Sequence, residues 1–525
     1  MRVLAISPSH DSSVCVYNNG RIEFFAKEER FTEFKRDEFP FIVLEKVYEL
    51  FKQTIDYATY TWSRFDCEKF DTFSAYVYKK FKLPLSFVNK DLPHHRNHAA
   101  LAFYNSNFTD ALVVVVDRNG SIRLDNTREA ESVYECHYPY TFIPTYKNYW
   151  SSTTFSIVKV YEAATTLIGQ NALENGKVMG LAAYGDIFKI HEKLFRDLGP
   201  FHEKFEHITF APNKKLPTSI FKGLKNKITS TITPQNYQFY ADKCRQVQLE
   251  TQEAVLTLIK RCSASTGIKN ICITGGYGLN VVANSFYVKS LPKFNFYFEP
   301  LSDDSGTSIG AAMLLYRHLT KDSKKYSVPN NFYHFYENCY NRYGTRQDVS
   351  KLCELLMKQK IVGLFEGAPE AGPRALGHRS VLFDPRNPNG KDIINTLKER
   401  EWYRPFAGVI LEEKFKDYFE TMGLTKSRDM TINFDCKPGV AAKFPAIVHV
   451  DHTCRVQTVA SGFLYDLLKL FYKKTGCPFL LNTSLNVAGA PLIQTKTDAV
   501  KFFHDSQNKH WGGIYFVDDT RLYDG

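Results

Sequence analysis

The sequence predicts an α/β protein in two modules, and three observations predict it. A strand, polar or acidic loop, strand pattern occurs twice within the first 124 residues. A further strand runs into a glycine-rich turn near residue 275. After a polar, Tyr/Asn-rich passage, helical periodicity and a new strand return from residue 349 onward. The 525 residues suffice for about three domains or two large ones. Hydrophobic residues make up 44% and charged residues 23%, which excludes wholesale disorder and allows a core without disulfide staples.

Taken in order, residues 3–7 form an apolar run, 8–13 a polar loop, 14–17 a second apolar run, Asn18-Asn19-Gly20 a turn and 21–26 a third strand. The pattern recurs as a valine-dominated run over 112–116, the loop Asp117-Arg118-Asn119-Gly120, and a continuing strand over 121–124. Two such copies suggest a duplicated core of the actin/hexokinase kind, in which each copy presents a loop to a nucleotide phosphate across a cleft. Two unrelated hairpins are the alternative. Residues 271–274 lead into Gly275-Gly276-Tyr277-Gly278-Leu279-Asn280, with a helix expected to follow. Glycines there let backbone N–H groups approach a phosphate, and a helix N-terminus favours the anion. A simple tight turn fits the same letters. The polar passage over 321–346 separates the modules, and the boundary is expected near 345. A helix over 349–357 and a strand over 361–365 then open the second module.

The eleven cysteines are scattered and form no C-x-x-C pair, which excludes a zinc ribbon and reads as buried thiols in a reducing compartment. No apolar run reaches the ~20 residues of a membrane span, and the N-terminus enters a strand directly. A soluble, cytoplasmic protein is expected, in a bacterial host if phage-encoded. The net charge of +11 leans toward a polyanionic partner. His94 and His98 lie four apart at the start of an expected helix, so one turn places both imidazoles on one face. Asp117 and Asp304 could complete an N/O site suited to Fe(II), Mn(II) or Zn(II); a structural pair of histidines is the other reading. The second module carries Arg and Lys among Gly, Pro and aromatic residues, in Gly372-Pro373-Arg374, in the run from Lys398 to Arg404-Pro405-Phe406, and around Arg455. Rigid loops aim a guanidinium better than a solvated helix face does, which points to a second phosphate site.

With these blocks in view, the chain resembles the O-carbamoyltransferases that act on nodulation factors and cephalosporin-type antibiotics. The resemblance runs over the whole length through SPSHDSS, EERFTEFKRDEFP, HHRNHAALAF, NGKVMGLAAYG, GGYGLN, DSGTSIGAA, GPRALGHRS, KEREWYRPFA, HVDHTCRVQT and TGCPFLLNTSLN. It implies an actin-like, duplicated (ASKHA) N-terminal domain over 1–345, similar to tRNA-threonylcarbamoylating enzymes. It implies a threonylcarbamoyl-AMP-synthase-like α/β domain over 346–525. The implied roles are His10 and Lys35 in catalysis; His94, His98, Asp117 and Asp304 for a divalent metal, Fe(II) favoured and Mn or Zn possible; and Gly275, Gly276 and Asn280 for nucleotide. Arg374, Lys398, Arg404, Arg455 and Asn482 would hold carbamoyl phosphate, with ATP and Mg as the other substrate. The chain departs from the family pattern at Ala371, where the family has phenylalanine, and at His452 and Arg118, where it has glycine.

The resemblance therefore implies transfer of a carbamoyl group from carbamoyl phosphate, through carbamoyladenylate, to an acceptor hydroxyl, with His10 as general base. For the acceptor, the charge of +11 and the lysine-rich stretch over 188–227, including Lys214, Lys215, Lys222, Lys225 and Lys227, point to DNA. The Lys-, Tyr- and Phe-rich composition resembles an AT-rich genome of the bacteriophage kind, which favours 5-hydroxymethylcytosine or another hydroxymethylpyrimidine. Carbamoylation of a natural product or sugar is the alternative. A non-catalytic nucleotide- or RNA-binding protein and a tRNA-threonylcarbamoylating protein are the readings from other classes. Monomer and homodimer stay equally open.

Overall fold

The apolar run at the N-terminus is a central strand. In the computed structural model, which describes residues 1–62, 67–86, 93–150, 156–186, 194, 232–233, 235–326 and 346–525, β1 (Arg2–Ser7) pairs antiparallel with β2 (Ser13–Asn18), and β2 with β3 (Arg21–Lys27). Asn19 and Gly20, at φ 46 and 81, supply the two positive-φ positions that a two-residue hairpin turn requires. On its other edge β1 pairs parallel with β4 (Tyr57–Tyr60), and β4 pairs parallel with β5 (Leu85–Ser86). Val3, Leu4, Ala5 and Ile6 are all fully buried, so the strand is covered on both faces, which is why its sequence does not alternate.

A second sheet repeats this arrangement. It comprises β6 (Asp110–Val116), β7 (Arg128–His137), β8 (Thr141–Trp150), β9 (Asn270–Thr274) and β10 (Asn295–Phe298). The orders β3-β2-β1-β4-β5 and β8-β7-β6-β9-β10 correspond strand for strand. In each, an antiparallel meander of three is continued by two parallel strands. One expectation is corrected here. Residues 121–124 are not a strand but part of the connection to β7, with a single bridge between Ile122 and Arg128. Arg123 and Thr127 close a tight turn, with Asn126 at φ 63, so the chain reverses before a ladder can form.

The helices Pro93–Asn105 and Gly306–Thr320 pack together closely. A Cβ on Gly310 would stand 1.9 Å from the Asn97 carbonyl oxygen. One on Gly306 would stand 2.6 Å from Leu101 Cδ2. Glycine therefore sets the spacing of these two helices.

By internal contacts the chain divides into two units, Met1–Glu28 with Arg36–Asn330, and Glu29–Lys35 with Asn331–Gly525. The expected boundary near 345 lies outside the described residues. The second unit is built on a nine-stranded mixed sheet of β11 (Ile361–Phe365), β12 (Arg379–Phe383), β13 (Ala407–Leu411), β14 (Phe419–Glu420), β15 (Asn433–Cys436), β16 (Thr453–Val459), β17 (Phe479–Ser484), β18 (Trp511–Phe516) and β19 (Arg521–Tyr523). Its order is β14-β15-β16-β13-β17-β12-β11-β18-β19. Arg379, 1% exposed, opens β12 and donates to the carbonyls of Glu366, Gly367, His378, Ile493 and Gln494 while its guanidinium lies 3.4 Å from the centre of the Phe365 ring. One buried cation thus ties three loops together. Among the described residues no helix is long and apolar enough to cross a membrane.

An alanine in an open helix interior stabilises by about 1 kcal/mol over glycine. Gly310→Ala should do the reverse, because its methyl meets backbone: a loss of about 1–3 kcal/mol is expected, measured as a shift in the urea midpoint of the first unit.

Candidate functional site

The Pro93–Asn105 helix presents His94 and His98 one turn apart, both buried. Asp117 follows the last residue of β6, and Asp304 lies just before the Gly306–Thr320 helix. The close helix packing brings the four together: one ligand atom from each of His94, His98, Asp117 and Asp304 lies within 4.8 Å of the others. His94 Nε2 is 3.4 Å from both Asp117 Oδ2 and Asp304 Oδ1, and His98 Nε2 is 3.5 Å from Asp304 Oδ1. These separations exceed a good hydrogen bond but match the spacing of ligands around one ion with bonds of about 2.1 Å. His94 Nε2 and His98 Nε2 are buried without a hydrogen-bond partner, a state that an ion relieves. Two imidazoles and two carboxylates are a donor set for Fe(II), Mn(II) or Zn(II). The residues therefore fit a divalent metal.

Electrostatics follow from this packing. Burial works to lower the His94 pKa, but Asp304 and Asp117 outweigh it and push it up to about 10. Burial likewise works to raise both carboxyls, yet the neighbouring imidazoles hold Asp117 and Asp304 well below the usual carboxylate range.

His10, in the loop between β1 and β2, borders the cluster. Its Nδ1 is 3.4 Å from Asp304 Oδ2 and its Nε2 is 3.3 Å from Asp11 Oδ2, and a third of the side chain is exposed. Burial lowers its pKa and Arg118 adds to that, but Asp304, Asp11 and Asp117 raise it above the ordinary value. Lys27, 3.2 Å from Asp303 Oδ2 and 3.5 Å from Asp11 Oδ1, pins the same loop. The glycine turn closes the other side. Gly275 has φ +82, a Cβ there would sit 2.5 Å from the Val116 carbonyl, and the Gly276 N–H donates to Asp117 Oδ1 at 3.0 Å. Asn280 is engaged as the N-cap of the Val281–Ser290 helix and in a pair with Gln248. Arg118, unremarked in the sequence except as a departure, forks onto Glu162.

In the second unit the predicted cations do converge electrostatically. Burial, then Arg455 and Arg404, lower the pKa of Arg374. Burial, then Arg404, bring Arg455 down to about 10. Lys398, buried, is lowered by desolvation and by Arg400, Arg404 and Lys35. Its ammonium donates to the Ser484 carbonyl, to Ser484 Oγ at 3.1 Å and to Asn486 Oδ1 at 2.6 Å, all neutral groups. Asn482 positions rather than exposes: it donates to the Ala375 carbonyl at 3.1 Å and to Gln457 Oε1 at 2.7 Å, bracing the loop of Arg374. Glu370 Oε1 accepts from the N–H groups of Leu376 and His378 and holds the same loop.

Sequence reasoning missed three contributors. Arg400 donates to the Pro405 carbonyl at 2.8 Å and stacks over Phe406, shaping the turn that carries Arg404. Gln457 and Ser484 orient Asn482 and Lys398. The signal was available for Arg400, which lies in the same cationic run. Lys35 groups with the second unit rather than with His10, because the Glu29–Lys35 segment belongs there. Lys214, Lys215, Lys222, Lys225 and Lys227 lie outside the described residues.

Two family models match this chain: Carbamoyltransferase N-terminus over residues 42–313 and Carbamoyltransferase C-terminus over 353–511. The chain is 28% identical over 588 residues to an uncharacterized protein of Synechocystis, covering 94% of this chain and 92% of that one. It is 27% identical to nodulation protein NolO of Bradyrhizobium diazoefficiens, over 78% of this chain and 75% of that one. It is 34% identical to nodulation protein U of Azorhizobium caulinodans, over 42% and 40%. Full-length HypF in its phosphate- and nucleotide-bound form overlays at TM-score 0.39 and 13% identity, over 61% of this chain and 55% of that one, a likeness too low to carry an argument.

With its folded pKa raised from 6.5 to about 10, His94 contributes stability that is complete below pH 6.5 and is lost as pH rises through about 10. Chelator-treated protein should therefore melt at falling temperature from pH 7 to pH 10. Divalent metal should remove that slope, and its affinity should rise over the same range because it displaces a proton. A flat profile after chelation would mean that His94 holds no proton.

Proposed function

The chain belongs to the carbamoyltransferase family, and from that premise we propose that it is an ATP-dependent O-carbamoyltransferase acting in two steps. We read the two matching sheets of the first unit as the duplicated actin-like arrangement. The observation that carries the first step is the cation cluster of the second unit, where the pKa values of Arg374, Lys398, Arg400 and Arg455 are lowered by burial and by neighbouring cations, Arg404 in every case. Buried like charges are tolerable when an anion neutralises them, and carbamoyl phosphate and ATP are such anions. Atom balance requires one water. Carbamoyl phosphate yields carbamate and phosphate, a carbamate oxygen attacks the α-phosphorus of ATP, and pyrophosphate leaves with the electron pair. The Arg and Lys side chains offset the charge that shifts onto the leaving oxygens.

The second step belongs to the first unit. The acceptor oxygen attacks the carbamoyl carbon, the bond to AMP breaks, and AMP departs with the electron pair. His10, whose two ring nitrogens face Asp304 and Asp11, takes the hydroxyl proton. His94, His98, Asp117 and Asp304 would hold a divalent ion, which when bound supplies Lewis-acid stabilisation of phosphate oxygens. Asp11 and Lys27 hold the His10 loop in place.

For the acceptor, the net charge of +11 supports a polyanionic alcohol, and our reading is 5-hydroxymethylcytosine in DNA, with a small-molecule alcohol as the competing outcome. A cytosine in duplex would have to leave the stack to reach the cluster.

Carbamoyl phosphate, ATP and hydroxymethylcytosine DNA should give AMP, pyrophosphate, phosphate and a DNA product heavier by one carbamoyl group. Lys398→Ala should lower AMP release by at least about 100-fold, the loss seen when one strong electrostatic stabiliser is removed. If no alcohol yields a carbamoylated product, the transferase reading falls.

Transfer to DNA should weaken with salt by about 0.9 log units per log unit for each phosphate contact on duplex. Lys222→Glu with Lys225→Glu should flatten that slope. An unchanged slope, or a faster reaction with a neutral alcohol, would replace DNA by a small molecule.

A further inference from the structure

The carboxylate of Asp117 belongs to the metal cluster, but the residue after it has no role in the chemistry above. Arg118 is held by Glu162 of the Ile157–Leu167 helix in a two-bond fork, Nε to Oε2 and Nη2 to Oε1, each 3.0 Å. Glu162 also accepts from Lys159 Nζ at 2.8 Å. The carboxylate is buried, with 8% of its side chain exposed, and the Lys159 side chain is 12% exposed, whereas that of Arg118 is 31% exposed. One carboxylate thus carries two cations, and a net positive charge remains beside the acidic loop.

A stabilising ion pair for Glu162 needs one cation, and Lys159 supplies it. Arg118 is therefore surplus to neutralising Glu162. The fork engages Nε and Nη2, while Nη1 has no hydrogen-bond partner among the described residues. A guanidinium clamped along one edge has its plane fixed before any ligand arrives, and its other edge can take an anion oxygen at little entropic loss. Arg118 is close enough for its charge to act on His10, and the charges of Asp117 and Asp304 act on it in turn.

We propose that Arg118 binds the phosphate of the nucleoside monophosphate released on carbamoyl transfer, and so selects a donor whose leaving group is a phosphate ester. This rests on the two-step reading above. In the mixed anhydride the phosphate carries one negative charge. As the acceptor oxygen bonds to the carbamoyl carbon, the carbon–oxygen bond to phosphate breaks and its electron pair stays on the phosphate. The group then carries two negative charges, and the hydroxyl proton goes to His10. The open edge of Arg118 meets the charge that develops.

AMP binding measured by calorimetry tests this, on the chain carrying Lys398→Ala, which weakens the anion cluster of the second unit; the cations that remain there are the same in every variant and cancel in the comparison. Adding Arg118→Met should weaken AMP binding by about 10- to 100-fold, the worth of one or two charged hydrogen bonds, and leave adenosine binding unchanged. Adding Glu162→Gln should tighten AMP binding several-fold, because both cations remain while their counter-charge is gone. A purely structural role would give losses in both variants. Equal AMP affinity in all three proteins, or no AMP binding by the Lys398→Ala chain, overturns the proposal. The transferase reading fails separately, if the unsubstituted chain releases no AMP from carbamoyl phosphate and ATP with any alcohol.

Discussion

The spacing of two helices governs the first unit. With no Cβ at Gly310, the Gly306–Thr320 helix sits against the backbone of Asn97. His94 and His98 flank Asn97 on that neighbouring helix, and Asp304 lies two residues ahead of Gly306. Two imidazoles and a carboxylate from segments some 200 residues apart in sequence thereby meet. The same helix start is tied to the first sheet: Thr307 Oγ1 lies 2.9 Å from Ser7 Oγ, and Ser13 Oγ donates to the Ser305 carbonyl at 2.7 Å. Ser7 and Ser13 flank the loop that carries His10. His10 and the His94, His98 and Asp304 side chains are therefore held in one frame, and a shift of the helix would move all of them together.

The second sheet adds Asp117 by parallel pairing. β6 and β9 lie side by side, so the acidic loop after β6 and the glycine turn after β9 emerge at the same edge. Gly275 turns back over the Val116 carbonyl, and the Gly276 N–H takes one oxygen of Asp117, leaving the other turned to His94. Ends of parallel strands are where open α/β sheets place ligands.

The second unit shows two ways of keeping a buried cation. Arg379 is solvated by five hydrogen bonds to carbonyl oxygens and holds loops together without needing a ligand. Lys398 and Arg400 also donate to neutral oxygens, of Ser484 and Asn486 and of Asn395 and Pro405, but burial and like charge, that of Arg404 among it, lower the pKa of both and of Arg374 and Arg455. The first arrangement is complete in itself. The second concentrates like charge in one place, and Asn482, Gln457 and Glu370 brace its loops.

Much of this was legible in one dimension because it depends on near neighbours. The i, i+4 pair His94 and His98, the buried valine run of β6, the Asn19-Gly20 turn and the Gly-Pro-Arg loop all follow from local periodicity and backbone preference, and the ordered motif blocks carried the family. What only the tertiary structure decided involves partners remote in sequence. Arg118 pairs with Glu162 of a helix 44 residues on, Lys35 falls to the second unit, Asn482 braces a loop 107 residues away, and residues 121–124 yield to a turn. A side chain's charge can be read from its letter, but whether that charge is paired, caged or left open depends on which distant segment the fold brings against it.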